Sequence, residues 1–263
     1  MRKKVVVVHL HYLEVWTDLV RSISIIGPDE IFVTTTDINS SRQMVLSDFP
    51  HAKIYGLDNR GRDIYPLIYL SKLGIFDEKS IVWKLHSKRS LHTLRGDKWR
   101  NELVEAIAND TKKVEAIISK IENGEASVLG CEKYLTRLSS YNFEEHRDFF
   151  QSWCREVGFE FKSDEIDYIA GTIFACDSQV LARLSDISLE GIDFKLETNN
   201  LLFNRWFAFK LYGLNYLSGI PAFDKMRINL DRKTRPATQE TYAFEAFFGI
   251  LAQQFNGTKG ISE

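Results

Sequence analysis

The sequence predicts an α/β domain built on a mostly parallel central sheet with helices on both faces, and three observations carry that prediction. Short β-branched runs alternate with segments of helical period through the first half of the chain. Breakers punctuate the alternation at Gly27-Pro28, Pro50, Gly74 and Asn123-Gly124. Finally, 263 residues with 44% hydrophobic and 13% aromatic side chains are enough to fill one large core.

The elements follow in order. Val5–Leu10 reads as a buried strand and Leu13–Ile25 as a helix, with Val15, Leu19, Ile23 and Ile26 near helical spacing. Glu30–Thr36 is a second strand, Ser40–Phe49 a helix, His51–Leu57 a third strand and Ile64–Leu73 a short helix. Ile81–Leu85 is a fourth strand, followed by one long helix over Trp99–Ile121. The second half is less regular. Ala126–Gly130 and Tyr168–Phe174 read as strands, and Ser178–Leu184, Asn199–Leu211 and Glu240–Phe255 as helices, with a loop over Asn229–Thr238. No repeat or linker divides the chain. Residues 1–263 form one domain, with a nucleotide-type half over 1–125 and a half over 126–263 that completes the site.

Composition excludes several classes. The 34 basic and 36 acidic residues give a net charge of −2, too little cation for a generic nucleic-acid binder. Cys131, Cys154 and Cys176 lack metal or redox spacing and read as reduced thiols of a cytoplasmic protein. The N-terminal apolar run is cut short by His9, His11 and Glu14, so it reads as a strand and not as a signal peptide. No stretch approaches the roughly 20 apolar residues of a membrane span.

In parallel α/β sheets, ligands bind beyond the carboxyl ends of the strands. The third strand there leads into Asp58-Asn59-Arg60-Gly61-Arg62-Asp63, and the fourth into a segment rich in cations. From Lys84 to Arg100, six Lys or Arg residues oppose one acid, Asp97. Lys84, His86 and Lys88 alternate along one side of an extended strand end, so an anion site and a solvated basic loop are both open readings. Asp63 is either a helix cap, a partner for an arginine, or a carboxylate touching a sugar hydroxyl or a metal. Gly61 suits a tight turn. His9 and His11 share a face at the end of the first strand, as packing or as substrate contacts, without a third ligand at zinc spacing. Thr34, Thr35 and Thr36 could line a base pocket. Ser87 and Cys176 have no base at motif spacing, which argues against nucleophilic catalysis.

These segments together resemble the rhamnan synthesis protein F family of bacterial polysaccharide-building proteins. The resemblance rests on His9-x-His11-Tyr12, Val33-Thr34-Thr35, Asn59-Arg60-Gly61-Arg62-Asp63 and Lys84-Leu85-His86-Ser87-Lys88-Arg89-Ser90, then Gly96-x-x-Trp99-Arg100 and Ala170-Gly171-Thr172-Ile173-Phe174. It implies a glycosyltransferase that moves a sugar, with rhamnose the candidate the family name suggests, from a nucleotide-sugar donor to a growing cell-surface polysaccharide such as an O-antigen. It implies a donor side made of His9, His11, Thr34, Asn59, Arg60, Gly61, Arg62, Asp63, Lys84, His86, Lys88 and Arg100. Trp99, Gly171 and Thr172 then fall on the acceptor side.

The layout is also similar to the single-domain nucleotide-sugar transferase fold called GT-A, in which an Asp-x-Asp holds a metal on the diphosphate. This chain has no Asp-x-Asp, and His86-Ser87-Lys88 stands where the acids would fall. Fixed cations can neutralise a leaving diphosphate, so the expectation is a transferase with no metal and no cofactor beyond its nucleotide-sugar substrate. Inversion needs a carboxylate base, for which Asp193, Glu197 and Glu245 are candidates, Glu245 preferred, with Asp63 also placed in the catalytic set. The expected acceptor is a saccharide or a lipid-linked oligosaccharide. The aromatic segment from Leu201 to Tyr212 either fills the core or rests on the inner face of the membrane. The alternative from another class is a non-catalytic sugar- or anion-binding domain of a polysaccharide assembly system.

Overall fold

Four consecutive valines commit the chain to its first strand, because β-branched side chains fit a pleated surface covered on both sides. The structure, a computed structural model that describes residues 2–87, 96–138, 140–159, 166–189 and 239–262, buries all of Val5 to Leu10 within β1 (Lys3–Leu10). Burial on both faces is what an interior strand of a parallel sheet requires. β1 pairs in parallel with β2 (Glu30–Thr35) on one side and with β4 (Ser80–His86) on the other, and β3 (Lys53–Gly56) adds beyond β2.

The full sheet has seven strands in the order β3-β2-β1-β4-β8-β5-β9, with β5 at Val128–Cys131, β8 at Phe174–Asp177 and β9 at Thr258–Ile261. β8 runs antiparallel to both neighbours, and every other pairing is parallel. The predicted mostly parallel sheet is therefore present. A separate antiparallel pair joins β6 (Leu135–Arg137) to β7 (Asp167–Ile169).

Helices cover both faces. Trp83 turns to α4 (Gly96–Ala108) and donates its indole N–H to the Ile107 carbonyl at 3.3 Å. Its neighbour Lys84 faces the opposite side, as does its register partner Phe174, whose ring lies 5.3 Å from that of Phe248. Phe248 belongs to the last helix, α8 (Gln239–Gln253). Between these lie α1 (Trp16–Ile26), α2 (Ile38–Asp48), α3 (Ile64–Lys72), α5 (Thr111–Glu122), α6 (Ser140–Glu156) and the short α7 (Ser178–Ala182). α1 buries Trp16, Leu19, Ile23 and Ile26 and ends at Gly27, whose φ of 57° is a left-handed terminator. α8 lies close on β7: a Cβ at Gly249 would sit 2.5 Å from the Asp167 carbonyl oxygen.

The structure differs from the sequence reading in two instructive places. The long helix expected over Trp99–Ile121 is two helices. Asp110 interrupts it and caps α5, its carboxylate accepting from the Lys113 amide at 2.9 Å. The strand expected over Tyr168–Phe174 is also two, β7 and β8, separated by a turn in which Gly171 has φ 94° and Thr172 φ 54°. α6, β6 and β9 have no counterpart in the sequence reading. The predicted helix over Asn199–Leu211 and the loop over Asn229–Thr238 lie outside the described residues. Cys131, Cys154 and Cys176 are buried free thiols. Among the described residues no helix is long and apolar enough to cross a membrane.

Candidate functional site

From β1 the chain builds outward to β2 and β3, then crosses back to place β4 on the other flank of β1. That reversal makes the carboxyl ends of β1 and β4 the topological switch point of the sheet, the position where open α/β sheets take their ligands. Register fills it with a polar row. Tyr55, Thr34, His9 and His86 are successive partners across β3, β2, β1 and β4, so their side chains leave the same face side by side. One row deeper come Phe32, Val7, Lys84 and Phe174.

Lys84 is the deepest charge. Its residue is 1% exposed, and its ammonium donates to the Asp63 carboxylate at 2.5 Å and to the Thr172 carbonyl at 2.7 Å. The Thr172 hydroxyl donates to the same carboxylate oxygen, Oδ2. His86 Nε2–H donates to the neighbouring carbonyl, that of Gly171, at 2.7 Å, which fixes its tautomer. Two side chains of β4 thus grip two successive carbonyls of the β7–β8 turn, and one carboxylate from the start of α3 completes the knot. An ammonium this deep would be very costly without the carboxylate beside it.

Asp63 occupies the N-cap position of α3 yet caps nothing. Asp37, Asp110 and Asp177, at the same position of α2, α5 and α7, each accept an amide of their own helix. The first α3 amide, on Ile64, goes instead to the Gly61 carbonyl at 3.0 Å. Releasing Asp63 from capping requires the preceding turn to fold back, and Gly61 (φ 56°) and Arg62 (φ 54°) do so in succession. Arg62 and Thr172 are the non-glycine residues with positive φ among the described residues, and each adjoins or belongs to this knot.

Histidines line the rim. His9 Nδ1 lies 3.1 Å from the Thr34 hydroxyl, which donates onward to the Val8 carbonyl. Burial pushes His9 down to about 3, with His11, His86 and Lys84 adding to the effect and Asp63 opposing it. His11 Nδ1 meets the Thr36 hydroxyl at 3.0 Å. The Ser87 hydroxyl accepts from the amides of His11 and Tyr12, both at 2.8 Å, so it laces the end of β4 to the end of β1.

The turn is also gripped from its other side. A Cβ on Gly171 would lie 2.6 Å from the Trp99 indole and 2.8 Å from Leu103, so glycine alone lets α4 pack here. Trp99 in turn meets Tyr134 edge-on at 5.9 Å. Tyr134 donates to the Glu102 carboxylate, which Lys133 also holds at 2.7 Å.

The expected site residues therefore sort by placement. His9, Thr34, Asp63, Lys84, His86, Gly171 and Thr172 converge, with Trp99 behind the turn. Lys84, expected to face the anion, is instead neutralised inside the knot, because the nearest carboxylate is on the same side of the sheet. Thr34, expected to line a base pocket, is wholly buried and positions His9. The Arg100 guanidinium joins α4 to Asp18 of α1 at 3.1 Å and to Asp97 at 3.0 Å. Asn59 and Arg62 are half-buried and Arg60 exposed, on the turn above the knot. Glu245, half-buried on α8, lies near Tyr168; burial and then the Glu245 charge push that phenol up to about 12. Lys88, Asp193 and Glu197 lie outside the described residues. The Thr172 contact with Asp63 was missed in sequence, 109 residues separating the two. Among the described residues no three His, Cys, Asp or Glu side chains converge to hold a metal.

The family model described as rhamnan synthesis protein F matches residues 1–202. Two curated relatives, each named uncharacterized protein WxcX, come from two strains of Xanthomonas campestris pv. campestris. Each is 24% identical over 200 residues, covering 74% of this chain. The match spans 28% of each relative's length. Partly similar solved structures include a 4-diphosphocytidyl-2C-methyl-D-erythritol synthase, with TM-score 0.39, 14% identity and coverage of 74% of this chain and 86% of that one. Another is the bifunctional IspDF from Campylobacter jejuni, with TM-score 0.32, 11% identity and coverage of 76% and 46%.

Two outcomes follow from the knot and its rim. Lys84→Met strands Asp63 without its cation and should lower unfolding stability by about 3–5 kcal/mol in a denaturant titration. A loss under about 1 kcal/mol would mean the pair is solvated. His9 binds fewer protons folded than unfolded between its ordinary value of 6.5 and about 3. Stability should therefore fall as pH drops through that window, with His9 contributing a slope of up to about 1.4 kcal/mol per pH unit. His9→Asn should remove that slope while keeping a partner for Thr34, measured as the difference between the two stability–pH curves.

Proposed function

The chain belongs to the rhamnan synthesis protein F family, which ties it to polysaccharide synthesis, and we propose that it is a glycosyltransferase using a nucleotide-sugar donor. The sugar, with rhamnose as the first candidate, passes to a growing cell-surface saccharide, free or lipid-linked. The observation that supports this most is the Asn59–Asp63 turn at the switch point of the sheet. Its two successive left-handed residues, Gly61 and Arg62, turn the chain so that Asp63 reaches Lys84, one row beneath His9 and His86, and the same turn carries Arg60 and Arg62. Guanidinium groups suit a diphosphate, whose oxygens they can meet in pairs.

In this reading Arg60 and Arg62, with Lys88 from the segment after β4, hold the donor diphosphate and neutralise the charge that grows as it leaves. Asn59 contributes an amide to the same pocket. Asp63 does not act as the base, because Lys84 and Thr172 already engage its carboxylate. That leaves Glu245, and behind it Glu197, to take the proton of the acceptor hydroxyl. The acceptor approaches along the Trp99–Gly171–Thr172 side. The chemistry of the donor set supports metal independence: the Asp63 carboxylate is paired with an ammonium, and the turn above it carries Arg60 and Arg62 beside a single exposed carboxylate, Asp58. The work takes place in the cytoplasm, and the Leu201–Tyr212 segment supplies any contact with the inner membrane face.

One observation favours the second reading, a non-catalytic sugar- or anion-binding unit. The carboxylate nearest the row is neutralised, so binding needs nothing more from it. A thermal-shift screen of nucleoside diphosphate sugars separates the two when followed by a transfer assay. A ligand at a hundred times its Kd stabilises the fold by about 2.7 kcal/mol. Arg62→Asn keeps a residue at home in the left-handed region and should weaken the best ligand about 10- to 100-fold. Transfer should persist in EDTA. Binding without transfer supports the second reading, and loss of transfer in EDTA with recovery on adding magnesium or manganese overturns the metal-free mechanism.

A further inference from the structure

Of the polar row, His9 alone offers a ring nitrogen with no partner among the described residues. The Thr34 hydroxyl lies 3.4 Å from the Val8 carbonyl and 3.1 Å from His9 Nδ1; with its proton toward the carbonyl, its lone pairs receive Nδ1–H. In that arrangement the His9 proton sits on Nδ1, and Nε2 carries a lone pair. Nε2 makes no hydrogen bond among the described residues, yet it is not one of the buried polar atoms stranded without a partner. His9 keeps 7% of its surface, while its row neighbours Thr34 and His86 keep 0% and 2%. His86 has its own Nε2–H committed to Gly171.

We infer that His9 Nε2 accepts a hydrogen bond from a neutral donor group, a hydroxyl or ring N–H, on the nucleoside diphosphate sugar. This rests on the donor role proposed for this edge of the sheet and makes His9 a reader of that ligand in place of a phosphate clamp. The ring stays neutral for two reasons. Burial opposes its charge, and His11, His86 and Lys84 add to that against the opposing Asp63 carboxylate, which Lys84 and Thr172 already engage. A neutral acceptor cannot hold a phosphate oxygen, since both groups would present lone pairs. It discriminates instead for a ligand that brings its own proton, and against an analogue in which that group is methylated or absent.

The two half-mimics of histidine separate the nitrogens. His9→Asn keeps a group at the Nδ1 position for Thr34, and His9→Gln places an amide oxygen at the Nε2 position. With the wild-type ligand taken from a panel of UDP-, dTDP- and GDP-sugars, calorimetry should show His9→Asn binding about three- to tenfold weaker and His9→Gln recovering most of that loss. Repeating the comparison with the bare nucleoside diphosphate locates the donor group. An equal loss places it on the nucleoside, and a loss confined to the sugar-bearing form places it on the sugar. If the wild type binds and both variants bind equally well, the inference is wrong while the donor reading stands. If no nucleotide sugar binds the wild type, both fall. A nitrogen-15 spectrum of the unliganded wild type is independent of any ligand: an unprotonated His9 Nε2 is expected, and a protonated one overturns the inference.

Discussion

The buried pair between Lys84 and Asp63 is the interaction on which the rest of the site depends. A lysine in the middle of a fully buried strand has no route to water, so the fold must bring it a carboxylate. The nearest is at the start of α3, 21 residues earlier. To deliver that carboxylate, α3 gives up its side-chain cap, the turn before it adopts two left-handed residues, and the β7–β8 turn donates a hydroxyl from a strained Thr172. Each of these departures from local preference is costly alone. Together they are over-determined by one buried ammonium and the carboxylate it requires.

The consequence is that the two turns walling the strand ends are joined. The Asn59–Asp63 turn on one side and the Ala170–Thr172 turn on the other meet at a single carboxylate oxygen, and β4 grips the second turn through Lys84 and His86. Trp99 and Leu103 press on Gly171 from α4, so the floor is fixed from three directions. The electrostatic result differs from a simple basic loop. Lys84 is cancelled and His9 is held neutral, so among the described residues the cations on the turn above are Arg60, 3.7 Å from the Asp58 carboxylate, and Arg62. A rigid floor with neutral acceptors and a cationic rim suits a ligand carrying both hydroxyls and phosphates.

Much of this was legible in sequence. The β-branched runs and their breakers located β1 to β4, and the strand-end rule then brought His9, Asp63, Lys84 and His86 to one edge. What could not be read was which groups pair. Lys84 looks like an anion ligand because alternation shows only its side of the strand, and burial is not visible in a single sequence. Thr172 stands in the Ala170–Phe174 motif as an acceptor-side residue, and nothing in the sequence pairs it with Asp63, 109 residues away. The Tyr168–Phe174 run looked continuous because its residues favour strands on both sides of the turn, and only the tertiary grip on Gly171 and Thr172 breaks it. The helix over Trp99–Ile121 was joined for the converse reason: Asn109-Asp110 is tolerated in helical pattern, yet Asp110 gains more as a cap. Ser140–Glu156 hides α6 behind a polar, aromatic composition whose partner, Phe244 on α8, lies 91 residues from Trp153.

Native-state amide hydrogen exchange tests most directly whether the two walls act as one unit. The Ile64 amide reports on the first turn through its bond to Gly61, and the Thr172 amide reports on the second through its bond to Ile169. Along a denaturant series the account predicts that both amides exchange through a shared opening with the same free energy. It also predicts that Thr172→Ala, which removes the hydroxyl from Asp63, lowers protection at Ile64 as well as at residue 172. Protection at Ile64 unchanged by that substitution, with residue 172 opening on its own, would contradict the account.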